Sequence, residues 1–237
     1  MFKELFLTNN ISFKAISLDE NGIVIDDLKK NNVNIAYVTP SHQFPTGAIM
    51  SISRRTELLN WANENPDCYI VEDDYDSEFK YTGRPIPALK ANDINDKVIY
   101  LGSFSKSISP AIRVSYLVLP KALLNIYQRE LPYFICPVPT LNQKILYRFI
   151  KDGYFVKHIN KMRTLYKKKR EFLVNTIKAY SSKILNKEIQ IQGADAGLHM
   201  VIKLNQKINE KLFLNECLEN SLKLYSLEEY NIEEIYR

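Results

Sequence analysis

Apolar residues along this chain gather in short runs broken by turn-forming residues, with helical spacing between them. Val33 to Val38 alternates and is β-branched, which predicts a strand. The apolar starts of Tyr69–Asp76 and Val98–Leu101 read as buried strands, and Val114 to Leu119 as another, ending at Pro120. Ser53 to Asn63 places Leu58, Leu59 and Ala62 on one helical face, and Pro66 stops it. Pro120 opens a helix over Lys121–Leu131 as a first-turn proline, and Thr140 caps the next, from Leu141 to about Lys151. Tyr154 to Tyr180 predicts a long helix, with Phe155, Ile159, Met162, Tyr166, Leu173 and Ile177 near i, i+3, i+4 spacing. Ile189–Ile191 and Leu198–Leu204 read as strands and Glu210–Asn220 as a helix. Asp19-Glu20-Asn21-Gly22 is a turn between short apolar runs, while Met1 to Lys14 carries no readable pattern. Strands alternating with helices predict an α/β fold with a mostly parallel sheet. The expected division is a large domain over residues 1–152 and a small α+β domain over 153–237.

Composition narrows the picture only a little. Of 237 residues, 46% are hydrophobic, enough for a sizeable core. The net charge is +5, but 27 acids nearly balance 32 bases, which is not the footprint of a dedicated nucleic-acid binder. The basic run Lys167-Lys168-Lys169-Arg170 reads as a solvated helix face. Cys68, Cys136 and Cys217 are scattered without metal spacing, so they read as reduced thiols of a cytoplasmic protein. No apolar run approaches the ~18 residues of a membrane span, and Met1–Asn10 has too short an apolar core for a signal peptide.

Two strand ends carry the candidate chemistry. Val98–Leu101 spills into a hydroxyl-rich loop, Gly102-Ser103-Phe104-Ser105-Lys106, and Arg113 follows. A lysine at the end of a buried strand is expected to be desolvated, and a neutral amine attacks carbonyls. Ser103, Ser105 and Arg113 suit a phosphate beside it, since hydroxyls donate and a guanidinium forks onto oxygens. The plain alternative is a surface lysine in a Ser-rich loop. Tyr69-Ile70-Val71 ends in Glu72-Asp73-Asp74-Tyr75-Asp76, and parallel sheets put functional groups at the carboxyl ends of strands. Asp73 and Tyr75 then share a crevice with Lys106. Pyridoxal phosphate needs such a set: a lysine, a carboxylate for the pyridine nitrogen, a phenol near the ring oxygen and a phosphate cup.

Three segments also carry a family resemblance: Tyr37-Val38-Thr39-Pro40-Ser41-His42-Gln43-Phe44-Pro45-Thr46-Gly47, Glu72-Asp73-Asp74-Tyr75-Asp76-Ser77-Glu78-Phe79, and Gly102 to Lys106. From about Ile16 onward the chain resembles the aminotransferase-like domain of MocR/GabR-type regulators, within the fold-type I, class I/II aminotransferases that use pyridoxal 5'-phosphate. The resemblance implies Lys106 as the Schiff-base lysine and Asp73 as the partner of the pyridine nitrogen. It also implies Tyr75 at the ring oxygen, and Ser103 and Arg113 at the phosphate. It implies an amino acid or amine ligand and a site built at a homodimer interface. Phe44 stands where ordinary aminotransferases carry an asparagine before Pro-Thr-Gly, and Ser115 where the family has glycine. Ala196-Gly197-Leu198-His199 resembles the family's Gly-Leu-His segment; His199 is expected to be structural or to line the substrate side, and no metal-binding partner is visible for it.

Set against the whole family architecture, the chain is expected to be a fragment. The winged helix-turn-helix, the first part of the large domain and the C-terminal segment with the substrate-carboxylate arginine are expected to be absent. Three readings follow: an aminotransferase acting through Lys106, an effector-sensing module of a transcription regulator that binds no nucleic acid itself, and an inactive truncated remnant.

Overall fold

The computed structural model describes residues 2–181, 189–204 and 209–230 of the chain. A short helix, α1 (Phe2–Thr8), occupies part of the segment in which the sequence has no readable pattern. A hairpin follows, β1 (Leu18–Asp19) and β2 (Gly22–Ile23). Asp19 closes its turn by accepting the Asn21 backbone N–H at 2.8 Å. Next come α2 (Ile25–Lys30), β3 (Ile35–Val38) and α3 (Ile52–Asn63). Ser51 caps α3, its hydroxyl accepting the Arg54 N–H at 3.3 Å.

The central sheet adds β4 (Tyr69–Asp74), β5 (Val98–Ser103) and β6 (Ser115–Val118) to β3, in the order β3-β4-β5-β6. The first three strands are parallel and β6 is antiparallel at the edge. This is the α/β arrangement expected from the sequence. Tyr37 pairs with Val71 and Val71 with Ile99, so odd-numbered positions of β3, β4 and β5 share a face. The other face carries Ala36, Val38, Ile70 and Val98, all buried against Leu28 of α2 and Leu58, Trp61 and Ala62 of α3. The odd face is open at its margins, with Ile35 60% and Leu117 46% exposed.

The remaining elements are α4 (Phe104–Ser107), α5 (Lys121–Glu130), α6 (Thr140–Lys151), α7 (Tyr154–Tyr180), β7 (Gln190–Gln192), β8 (Val201–Lys203) and α8 (Glu210–Glu219). β7 and β8 form a separate antiparallel pair. The hydroxyl-rich loop of the sequence reading is in fact one helical turn, α4, because Ser103 caps it and β5 runs on to Ser103. Two further expectations shift by a residue. Thr140 is the first residue of α6 and not its cap, and Pro120 precedes α5 at the cap position. The strand expected over Leu198–Leu204 shortens to β8, because Gly197 and Leu198 are held by the sheet region instead. Among the described residues no helix is long and apolar enough to cross a membrane.

The β7–β8 connection docks on the carboxyl end of the central sheet. Gly197 donates its N–H to Phe79 at 2.7 Å, and Tyr81 donates to Asp195 at 3.0 Å. Gly197 has φ +67°, and a Cβ there would lie 1.9 Å from His42 Nδ1, so no side chain fits. The long helix α7 braces the same region. Its Arg163 donates to the Glu78 carbonyl at 2.8 Å and its Arg170 to the Ala194 carbonyl at 2.7 Å.

The buried face contains one charge that organises it. Glu72 accepts the backbone N–H groups of Leu89 and Lys90 at 2.8 and 2.9 Å, with Arg55 Nη1 3.9 Å away. Arg55 in turn donates to the carbonyls of Met50, Pro87 and Pro40. Removing one partner of such a buried pair strands the other charge. Glu72→Ala is expected to lower stability by about 3–5 kcal/mol, read by urea unfolding through Trp61, the single tryptophan. A loss within the ~1 kcal/mol of an exposed pair would contradict this burial.

Candidate functional site

Asp73 and Ser103 stand on the same face of neighbouring parallel strands. Asp73 pairs with Leu101, so Leu101 and Ser103 share its face at the carboxyl end of the sheet. The Asp73 carboxylate accepts the hydroxyl of Tyr37, which shares that face from β3. Burial pushes the Asp73 carboxyl above its usual range; the Tyr37 hydrogen bond opposes this, and the charges of Asp74 and Asp76 add to it. Burial also raises the Tyr37 and Tyr75 phenols, so both stay protonated at neutral pH. Tyr75 donates its proton to the His42 carbonyl at 2.8 Å.

The turn after Ser103 carries the lysine. The Ser103 hydroxyl oxygen accepts the Ser105 N–H at 3.2 Å, which leaves the hydroxyl proton free for another acceptor. The turn is fixed from both sides. Phe104 donates its N–H to Val114 at 3.0 Å and packs edge-on against Phe155, and His158 Nε2 reaches the Ser107 carbonyl at 3.1 Å. Lys106 itself is exposed. The desolvated strand-end lysine of the sequence reading is therefore corrected: the helical turn lifts Lys106 off the sheet and into solvent. Arg113 is also exposed, in a left-handed conformation at φ 49° just before β6. Among the described residues neither Lys106 nor Arg113 has a side-chain hydrogen-bond partner, so both cations are free to meet an anion. Ser115, where the sequence reading raised local crowding, is exposed.

The sequence reading named His199 and the acidic cluster but did not join them into the second set of residues at this end of the sheet. Asp74 accepts the hydroxyls of Tyr100 at 2.6 Å and Ser77 at 2.7 Å. Asp76 Oδ2 lies 3.0 Å from His42 Nδ1 and accepts the Leu198 N–H at 3.1 Å. His199 packs against His42 with ring centroids 4.1 Å apart and planes tilted by 41°, and Phe44 meets His199 edge-on. The positive charge of Lys106 is close enough to act on His199. Alternation along β4 was the available signal for Asp74. Nothing in sequence spacing joins His42 to His199.

The sequence model of the family "Aminotransferase class I and II" matches residues 16–232. The chain belongs to that family. Among similar curated relatives is the uncharacterized HTH-type transcriptional regulator YdeL of Bacillus subtilis (strain 168). It is 39% identical over 94% of this chain and 47% of its own length. The probable rhizopine catabolism regulatory protein MocR of Rhizobium meliloti is 32% identical over 83% of this chain and 39% of its own. The chain thus spans about half, or less, of the curated relatives it matches. Among similar solved structures, the kynurenine aminotransferase of Pyrococcus horikoshii, solved with PMP, superposes at a TM-score of 0.76. It is 26% identical, with 90% of this chain and 54% of that one covered.

Glu78 supplies a pH handle on this family's strand end. Burial, chiefly, pushes its carboxyl up to about 7 from an ordinary 4.5, with Asp74 and Asp76 adding to the shift and Arg163 opposing it. Between these values the folded chain holds a proton that the unfolded chain has lost. Stability therefore falls as pH rises through the window and levels off above it. Glu78→Gln keeps the neutral form at every pH. The stability of the wild type relative to Glu78→Gln is expected to fall steadily from pH 4.5 to about 7 in urea titrations. A difference independent of pH would contradict the assignment.

Proposed function

We propose that this chain is the pyridoxal-phosphate-holding part of an aminotransferase-type protein, with amino-group transfer running through Lys106. The observation that carries this reading is the placement of Asp73 and Ser103 on one sheet face, with Lys106 in the turn that Ser103 caps. The donor set suits the cofactor by charge. A carboxylate lies on one side, and two free cations with Ser103 and Ser105 on the other, which matches a cationic ring nitrogen and an anionic phosphate. Bound there, pyridoxal phosphate would supply an electron-withdrawing ring that stabilises charge at the carbon bearing the amine.

The residues then divide the work. Asp73, oriented by Tyr37, holds the proton of the ring nitrogen, and a cation there offsets the cost of its buried charge. Ser103, Ser105 and Arg113 hold the phosphate. Lys106 is the residue that would hold the cofactor, and its Nζ is the atom that would carry a proton as the base. Tyr75 has its proton committed to His42, so it meets a ring oxygen after a rotation of the hydroxyl.

A second reading rests on the relatives. YdeL and MocR are regulators, and the same site could hold an amino acid or amine as a signal without turnover. We place the chain in the cytoplasm, where Cys68, Cys136 and Cys217 stay thiols, and expect no direct contact with nucleic acid.

Borohydride reduction after addition of pyridoxal phosphate, followed by peptide mass mapping, tests the site. The adduct is expected on Lys106 in preference to other lysines and lost in Lys106→Ala. Labelling spread evenly over the lysines, or unchanged in Lys106→Ala, would overturn the reading. Conversion of an amino acid in the presence of a 2-oxo acid would select the enzyme, and ligand-induced spectral change without conversion the sensor.

The partner we propose is a second copy of this chain. Tyr133, Phe134 and Ile135, between α5 and α6, are 93%, 67% and 86% exposed, a contiguous apolar surface of the kind that marks contacts. Sedimentation is expected to depend on concentration, and a concentration-independent monomer would count against the homodimer.

A further inference from the structure

We infer that His42, Asp76 and His199 form a binding site for a divalent transition-metal ion of the zinc class. The site is distinct from Lys106 and stands whether or not pyridoxal phosphate binds there. Each residue offers one ligand atom, and these atoms all lie within 4.8 Å of one another. Ligands on one zinc ion sit roughly 3–4 Å apart, given bonds of about 2.0–2.2 Å, so only a small closure is needed. His42 Nδ1 and Asp76 Oδ2 are already 3.0 Å apart.

The outer contacts are those that ligating histidines require. His42 donates Nε2–H to the Gly193 carbonyl at 3.0 Å, which turns Nδ1 toward Asp76. His199 is hydrogen-bonded to the Pro45 carbonyl, and its Nε2 is buried without a partner. A backbone carbonyl behind each ring fixes its orientation and leaves the other nitrogen for a metal. Asp76, with its side chain 1% exposed, has a second oxygen, Oδ1, that is also buried and unpartnered. Two orphaned lone-pair atoms in one cluster are costly when nothing fills them, and a cation satisfies both.

The chemistry selects the ion. Two imidazoles and one carboxylate suit Zn²⁺, Co²⁺ or Ni²⁺ over Mg²⁺ or Ca²⁺, which prefer oxygen alone. Lys106 is the nearby cation that opposes the ion, and its exposure weakens that opposition. The ligands come from the segment after β3, the end of β4 and the β7–β8 connection, so the ion would clamp that connection onto the sheet.

The test uses the untagged full chain with Zn²⁺ or Co²⁺ as the probe. Equilibrium dialysis with elemental analysis is expected to find one ion per chain. Co²⁺ is expected to give visible bands without thiolate charge transfer, and Zn²⁺ to raise the melting temperature. His199→Phe, which keeps a ring at a half-buried position, is expected to weaken binding by more than the ~10–100-fold that loss of an outer contact costs. Lys106→Ala should bind the metal as the wild type does. Absence of stoichiometric metal in the wild type would overturn the site in favour of a metal-free His–Asp pair. So would thiolate bands, which place the ion on cysteines, or equal binding by a His199→Phe chain whose Trp61 fluorescence shows it folded. If His199→Phe fails to fold, Asp76→Asn provides the same comparison, and the thiolate criterion still decides in the wild type.

Discussion

Three carboxylates at alternate positions along β4 and its continuation, Glu72, Asp74 and Asp76, are taken out of water, and each needs partners from elsewhere in the chain. Glu72 takes two N–H groups from the turn at Leu89–Lys90 and the charge of Arg55 on α3. Asp74 takes a phenol from β5 and a hydroxyl from the turn after β4. Asp76 takes His42 from the segment after β3 and the Leu198 N–H from the β7–β8 connection. The segments after β3 and β4, the Leu89–Lys90 turn and the β7–β8 connection are thus tied to this one line of acids. Because an unpartnered buried charge costs several kcal/mol, these contacts act together: loosening one segment exposes the charge another depends on.

The same line explains what could and could not be read in advance. Apolar runs such as Ile70-Val71 and Val98–Leu101 mark their strands by composition alone, and α7 is visible from its repeating apolar positions. The candidate lysine and carboxylate were legible because both follow buried strands, and a parallel sheet brings such ends together. The fate of each acid was not. Glu72, Asp74 and Asp76 read as a cluster at a strand end, yet each is neutralised by residues remote in sequence, up to Leu198, 122 positions from Asp76. The expected burial of Lys106 failed for a local reason. A Ser-capped helical turn and an irregular loop look alike over four residues, but only the turn carries the lysine out into solvent.

The sheet is also asymmetric. One face is sealed by α2 and α3, with Leu58 and Ile70 wholly buried, while the other retains exposed apolar residues at Ile35 and Leu117. A ligand laid on the second face would remove apolar surface from water while meeting Asp73 at one side. Binding there would therefore add to stability as well as to chemistry, through ordinary linkage between ligand and fold. On the sealed face no such gain is available, since its groups are already packed.

Asp73 and Asp74 sharpen that contrast. They are neighbours in sequence and carry the same group, but the two-residue period of a strand turns them to opposite faces. Asp74 is buried and held by Tyr100 and Ser77. Asp73 is only partly covered and has Tyr37 as its hydrogen-bond partner. A carboxylate that burial has raised, beside a single phenol, gains most from a new cation, because the attraction relieves the desolvation it already bears. Of the two, Asp73 is the one on the face that Ser103 and the Lys106 turn border.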